Sequence, residues 1–220
     1  MKKVIYSAVF GIESTFKYLH LPGWDKYILT DQPDKVNADK CWTIKQVSKT
    51  HDDNGISNRF YKFISHKIFP DHDYCLYFDS KVILKDDLEN VPDKYLNNIA
   101  TFFKHPSRWC LYQELPIVVG MRFDTQDRVN KIYQILVENQ YPRNNGLTEN
   151  NIFLRSHKNE KLNKALEQVY YMIHNLSRRD QIVFMYCLWK HGCLDDIFFE
   201  EDQIKMIFYD QQHISMKTLK

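Results

Sequence analysis

Five apolar or aromatic residues, Tyr74-Cys75-Leu76-Tyr77-Phe78, run without a break and stop on Asp79, followed by Ser80 and Lys81. A run that short reads as a strand buried on both faces, as in a parallel sheet covered by helices. Such sheets bind ligands at the carboxyl ends of their strands, so Asp79 stands where chemistry is presented. Residues 4–10 (VIYSAVF) read as a strand ending at Gly11, and residues 24–30 (WDKYILT) as another closing on Asp31. Leu21-Pro22-Gly23 is a turn between them. A helix is expected over residues 57–69, with Phe60, Phe63, Ile64 and Ile68 toward the core and Arg59, Lys62 and His66 on a different face. Pro70 ends it. Residues 86–98 read as a polar helix, 99–103 as a strand, and 111–119 as strand-like despite Glu114 and Pro116. Residues 127–139 form an amphipathic helical pattern, 150–154 a strand leading to Arg155 and His157, and 162–173 and 180–190 two more helices. From Ile197 short apolar runs alternate with acid clusters. Strands alternating with helices imply an α/β sheet. Without a repeat or a linker, the expectation is one domain over residues 1–220.

Composition narrows the partners. With 44% hydrophobic residues in 220, core material is ample and disorder is excluded. A net charge of +2 is too mild for a nucleic-acid binder. The 5 cysteines form no CxxC pair and fit buried, reduced thiols of a cytosolic protein. No stretch approaches the ~18 apolar residues of a transmembrane segment, so the expected location is the cytoplasm or the periphery of a membrane.

No Walker loop, G-x-G-x-x-G, G-x-S-x-G or H-E-x-x-H motif occurs. Other groups stand at strand ends and on one helix face, each with a plainer alternative. Asp79 is either a donor- or metal-contacting carboxylate or a turn former. Arg59 and Lys62 suit a diphosphate, as a fork and a point charge, or are a solvated face. Ser177 and Asp180 match an acidic capping box. Capping leaves Arg178, Arg179 and Gln181 at that turn unexplained. A carboxylate at a helix start could accept a proton, although neighbouring arginines lower its basicity. His105, Arg108, Tyr112 and Glu114 cluster after a strand, or form an ordinary polar loop. The acid run of residues 195–202 reads as a solvated edge.

In order, the chain carries Tyr6-Ser7-Ala8-Val9-Phe10-Gly11, Pro22-Gly23-Trp24-Asp25 with Thr30-Asp31, Arg59-x-Tyr61-Lys62 with His66 and Phe69-Pro70, and Tyr77-Phe78-Asp79-Ser80-Lys81. Next come His105-Pro106-x-Arg108 with Tyr112 and Glu114, Gly146-Leu147 before Leu154-Arg155-x-His157, and Arg179-Asp180-Gln181. Over about residues 4–192 this resembles the glycosyltransferase-like family that includes the plant TOD1 and MUCI70 proteins. The resemblance implies a GT-A fold, a Rossmann-like, mixed but mostly parallel sheet flanked by helices. It implies a glycosyltransferase that moves a sugar from a nucleotide diphosphate donor, a UDP-sugar first of all, to a glycan hydroxyl in polysaccharide biosynthesis. On that reading Phe10, Gly11 and Asp31 meet base and ribose, and Arg59, Lys62 and Lys81 meet the diphosphate. His105, Arg179 and Gln181 face sugar or acceptor, with Asp180, Asp79 and Glu114 as catalytic candidates. Asp79 matches the first acid of the D-x-D motif that holds manganese or magnesium, but Lys81 replaces the second. Either further ligands such as His191 complete a metal site, or Lys81 itself neutralises the diphosphate. That departure keeps open a catalytically inactive domain that binds glycans or a protein. A nucleotidyltransferase ranks last for want of a Gly-rich phosphate loop.

Overall fold

The computed structural model describes residues 1–85, 87–88 and 92–200. Its main sheet has seven strands: β1 (Lys3–Val9), β3 (Asp25–Thr30), β5 (Thr43–Gln46), β6 (Tyr74–Phe78), β7 (Ala100–Lys104), β8 (Thr148–Ser156) and β9 (Ile197–Glu200). Their order is β5-β3-β1-β6-β8-β7-β9. Only β8 runs antiparallel to its neighbours, so the sheet is mixed and mostly parallel. Two short parallel strands, β2 (Ser14–Phe16) and β4 (Val36–Ala38), form a separate ribbon.

The period-2 alternation of β1 and β6 feeds two cores. Val4, Tyr6, Ala8, Cys75 and Tyr77 pack into one cluster with α1 (Asn54–Phe63), α3 (Leu111–Gly120), α4 (Gln126–Glu138), α5 (Glu160–Asn175) and α6 (Phe184–Lys190). Ile5, Val9, Leu76 and Phe78 point the other way, onto Phe16, Trp24, Val36 and Trp42. The apolar run is thus buried on both faces, but α-helices close only one of them. The ribbon and its flanking loops close the other.

Several elements differ from the pattern reading. The helix expected over residues 57–69 is α1 followed by the single turn α2 (Ser65–Ile68), because the backbone breaks at Ile64. Arg155 Nη2 donates to the carbonyl of Phe63 at 3.0 Å and stabilises that break. Residues 111–119 are helical. Leu111, Leu115 and Val118 sit at helical spacing against the core, and this outweighs the β-branched residues and Pro116. Of the helix expected over residues 86–98, a 3-10 turn at Pro92–Tyr95 forms, while residues 86 and 89–91 lie outside the described residues. Ser177 caps no helix. Its hydroxyl donates to Asp124 Oδ2 at 2.7 Å, and Asp180–Ile182 is a 3-10 turn before α6. The cysteines are all free thiols. Asp195 and Asp196 are exposed, and Glu201, Asp202 and the chain beyond lie outside the described residues. Among the described residues no helix is long and apolar enough to cross a membrane.

Candidate active site

From β1 the parallel sheet grows outward in two directions, to β3 on one side and to β6 on the other. The strand order reverses there, which opens a crevice at the carboxyl ends of β1 and β6. Asp79 follows β6 directly. Its amide donates to the Asn151 carbonyl at 2.7 Å, and its carbonyl accepts the Val82 amide at 2.8 Å in a tight turn. Its Oδ1 accepts the Tyr77 hydroxyl at 2.8 Å and stands 3.4 Å from Lys62 Nζ. The Tyr77 oxygen in turn accepts from Asn58 Nδ2 at 3.3 Å.

α1 supplies the cations. Asp53 caps it by accepting the amides of Gly55 and Ile56, which fixes the helix so that Arg59 and Lys62, one turn apart, face the crevice. Lys62 is only 1% exposed and also pairs with Asp180 Oδ2 at 3.1 Å. Arg59 Nε lies 3.6 Å from Asp180 Oδ1. Burial alone would raise the Asp180 pKa, but Lys62, Arg59 and Arg179 outweigh it and hold the carboxyl far below the usual range. Burial would likewise lower the Arg59 pKa, yet Asp180 and Asp79 hold the guanidinium above its ordinary value. Asp180 is therefore a firmly ionised ion-pair partner and a poor proton acceptor.

The far wall comes from the loop after β7, from α3 and from the start of β8. Glu114, buried in α3, accepts from Arg108 Nε at 2.5 Å. His105 Nδ1 faces the amides of Ser107 and Arg108 at 3.2 and 3.1 Å. Burial, with help from Arg108, lowers the His105 pKa to about 4 and keeps the ring neutral near pH 7. Arg108 Nη2 approaches Nε2 at 2.9 Å. A guanidinium can only donate, so the single ring lone pair of the neutral imidazole serves either Arg108 through Nε2 or the two amides through Nδ1.

These groups enclose a cavity of about 200 Å³. Arg59, Lys62, Asp79, Lys81, His105, Glu114, Arg179, Asp180 and Gln181 all line it, so one site gathers candidates from five separate segments. Arg59 Nε, Arg179 Nε and Asn150 Nδ2 are buried without a hydrogen-bond partner. All three are donors, as expected of a site shaped for an oxygen-rich, anionic ligand.

Four candidates lie elsewhere. Phe10 is buried and stacked on Tyr61, with ring centroids 5.2 Å apart. Gly11 and Asp31 follow β1 and β3 at the same sheet edge, outside this cavity. Gly11 has φ +70°, and a Cβ there would strike the Asn54 amide at 1.9 Å. Asp31 faces Lys49 at 3.8 Å, and its Oδ1 is buried without a partner. His191 does not join Asp79. Its Nε2 is 2.6 Å from Gln168 Oε1 on α5, and it is not among the residues lining the cavity. Sequence reasoning missed Asn58, Tyr77, Phe123 and the Glu149-Asn150-Asn151 triplet. The triplet carries a signal: three polar residues open an apolar strand antiparallel to β6, so they must start beside its carboxyl end.

A D-x-D motif holds its cation with hard carboxylate oxygens. Here Lys81 takes the second position, and Asp79 Oδ1 already meets Tyr77 and Lys62. Among the described residues no group of three or more His, Cys, Asp and Glu side chains converges to hold a metal. The side chains present do not fit a resident divalent cation.

No curated protein matches the chain. The family described as TOD1/MUCI70, glycosyltransferase-like domain, matches residues 8–213, which takes in every residue of the cavity. With this sheet and this match, the chain belongs to the TOD1/MUCI70 glycosyltransferase-like family.

Proposed function

We propose that the protein transfers a sugar from a nucleotide diphosphate donor, first of all a UDP-sugar, to a hydroxyl of a glycan. The observation that carries this reading is the set of orphaned buried donors in a cation-rich cavity at the switch point of the sheet. The nucleoside lies toward Gly11, Asn54 and Asp31, where buried acceptors Asp31 Oδ1 and Asn54 Oδ1 await ribose or base donors. The diphosphate lies beside α1 and Asp79. At about 200 Å³ the cavity is smaller than the ~300–1,000 Å³ of sites that enclose a whole small ligand, so part of the substrate lies outside it. A neighbouring hollow of about 610 Å³ shares His105 and Arg108 and carries the exposed Trp109, an apolar platform for the C–H face of an acceptor sugar.

In the reaction the acceptor oxygen bonds to the anomeric carbon as the carbon–oxygen bond to the diphosphate breaks. The diphosphate leaves with the electron pair and meets cations already in place, which lowers the barrier without reorganisation. The hydroxyl proton goes to Asp79 or Glu114. Asp180 holds Lys62 and Arg59 in position.

Incubation with UDP-hexoses should release UDP slowly even without acceptor. Asp79→Ala should cut that release by about a hundredfold or more, the scale seen when one preorganised electrostatic group is lost. Release that survives Asp79→Ala would sink the site assignment. An inactive binding domain would instead bind glycans and show no affinity for UDP.

A further inference from the structure

Five cationic side chains line the cavity, and three of them are committed. Lys62 is paired with Asp79 and Asp180, Arg59 faces Asp180, and Arg108 is bound to Glu114. Lys81 and Arg179 remain. Neither forms an ion pair among the described residues. Lys81 is exposed, two residues beyond Asp79 on the turn that closes β6. Arg179 sits over the Phe123 ring, its guanidinium carbon 4.4 Å from the centroid, with Nε buried and unsatisfied. The cation–π contact holds the guanidinium in place while its Nε–H still lacks an acceptor, as suits an anion. The diphosphate of a nucleotide sugar carries about two negative charges, one on each phosphate. Two uncommitted cations match it.

A divalent ion at Asp79 would meet the opposite situation. It would sit against the buried Lys62 ammonium, on a carboxylate already accepting a phenol hydrogen bond, with an ammonium where the second carboxylate belongs. We propose that Lys81 and Arg179 grip the donor diphosphate directly, so that donor binding and transfer proceed without a divalent cation. This rests on the nucleotide-sugar reading above. Besides standing as a candidate proton acceptor, Asp79 fixes the Lys62 ammonium behind the phosphates.

Calorimetry with UDP, and with pyrophosphate as a base-free probe, tests it in buffers holding either EDTA or Mn²⁺. UDP affinity should agree within about twofold between the two buffers. Lys81→Met and Arg179→Met should each weaken UDP and pyrophosphate by about tenfold or more, the scale of one charge-assisted contact. Arg179→Lys keeps the charge without the fork and should recover part of the loss. Thermal melts without ligand show whether each variant is folded. Lys81→Asp rebuilds the two-carboxylate motif and should make UDP binding depend on Mn²⁺. UDP that binds only with Mn²⁺, or a Lys81→Met protein that binds like the wild type, overturns the proposal and leaves the donor reading standing. Failure of UDP and pyrophosphate to bind in either buffer overturns both.

Discussion

A lysine that is 1% exposed keeps its charge only if carboxylates replace the water it has lost, and Lys62 has two, Asp79 at 3.4 Å and Asp180 at 3.1 Å. The rings of Tyr77 and Phe63, with centroids 5.3 and 5.5 Å from its ammonium, complete the surround. Removing either end leaves the other buried charge with one partner, Asp79 for Lys62 or Arg59 for Asp180, so Lys62→Met and Asp180→Asn should each cost about 2 kcal/mol. The double variant should cost less than their sum, because the second change removes the charge that the first left short of a partner. Urea unfolding of the four proteins closes the cycle, and additivity within about 0.5 kcal/mol would show that the pair is uncoupled. This pairing was only half legible in the sequence. Arg59 and Lys62 stand three apart on one helix face, and Asp180 lies in an arginine-rich turn, so both stood out as charged candidates. That they face each other depends on α5 returning the chain across the sheet to α1, a contact between segments more than a hundred residues apart.

Arg155 does for the elements what Lys62 does for the site. It is fully buried on β8, and its guanidinium donates to Asn163 Oδ1 on α5 at 2.8 Å, to the Phe63 carbonyl at the end of α1, and to Ser65 Oγ at the start of α2 at 2.7 Å. One side chain thus ties a strand to three helices and satisfies a helix-terminal carbonyl that would otherwise lack a donor. Arg155→Met should lower unfolding stability by about 3 kcal/mol, since several buried acceptors lose their donor together. A loss below about 1 kcal/mol in urea would show that water or repacking replaces it. Only the structure shows this tie, because nothing local marks residues 63–65 as a break in an otherwise continuous apolar helix pattern. The same kind of context decides α3. Pro116 and the Ile117-Val118-Val119 run favour extended chain locally, while the spacing of Leu111, Leu115 and Val118 lets a helix bury all three. Where pattern and packing agree, as in β1, β3 and β6, the strands lie within a residue or so of where alternation puts them. The three-residue strands β2 and β4 are too short to carry a period.

Across the whole molecule β8 runs from the candidate site at Thr148 to the opposite edge of the sheet at Ser156, and His157 follows it there. His157 Nδ1 donates to the His72 carbonyl at 3.0 Å, and Nε2 lies 3.0 Å from Ser65 Oγ, so both ring nitrogens are engaged around a neutral ring. Burial, followed by the Arg155 charge, pushes its pKa down to about 3. In the unfolded chain the same histidine titrates near its ordinary ~6.5. Between those values the unfolded chain holds a proton that the folded chain refuses, so stability rises with pH across this window. It is present in full above ~6.5 and drains away as the pH falls toward the folded value. The slope approaches about 1.4 kcal/mol per pH unit for one group, which gives a loss of about 2 kcal/mol between pH 7 and pH 5. Urea unfolding at pH 7, 6 and 5 reads that slope directly. His157→Gln keeps an amide donor for the His72 carbonyl but cannot titrate, so its stability should vary less over the same range by about that amount. An unchanged slope in His157→Gln would move the effect to another histidine, His105 first, whose pKa is also lowered, to about 4, but whose ring lines the cavity. The two are separable because a nucleotide bound in the cavity would shift the titration of His105 and leave that of His157, at the far edge of the sheet, where it was.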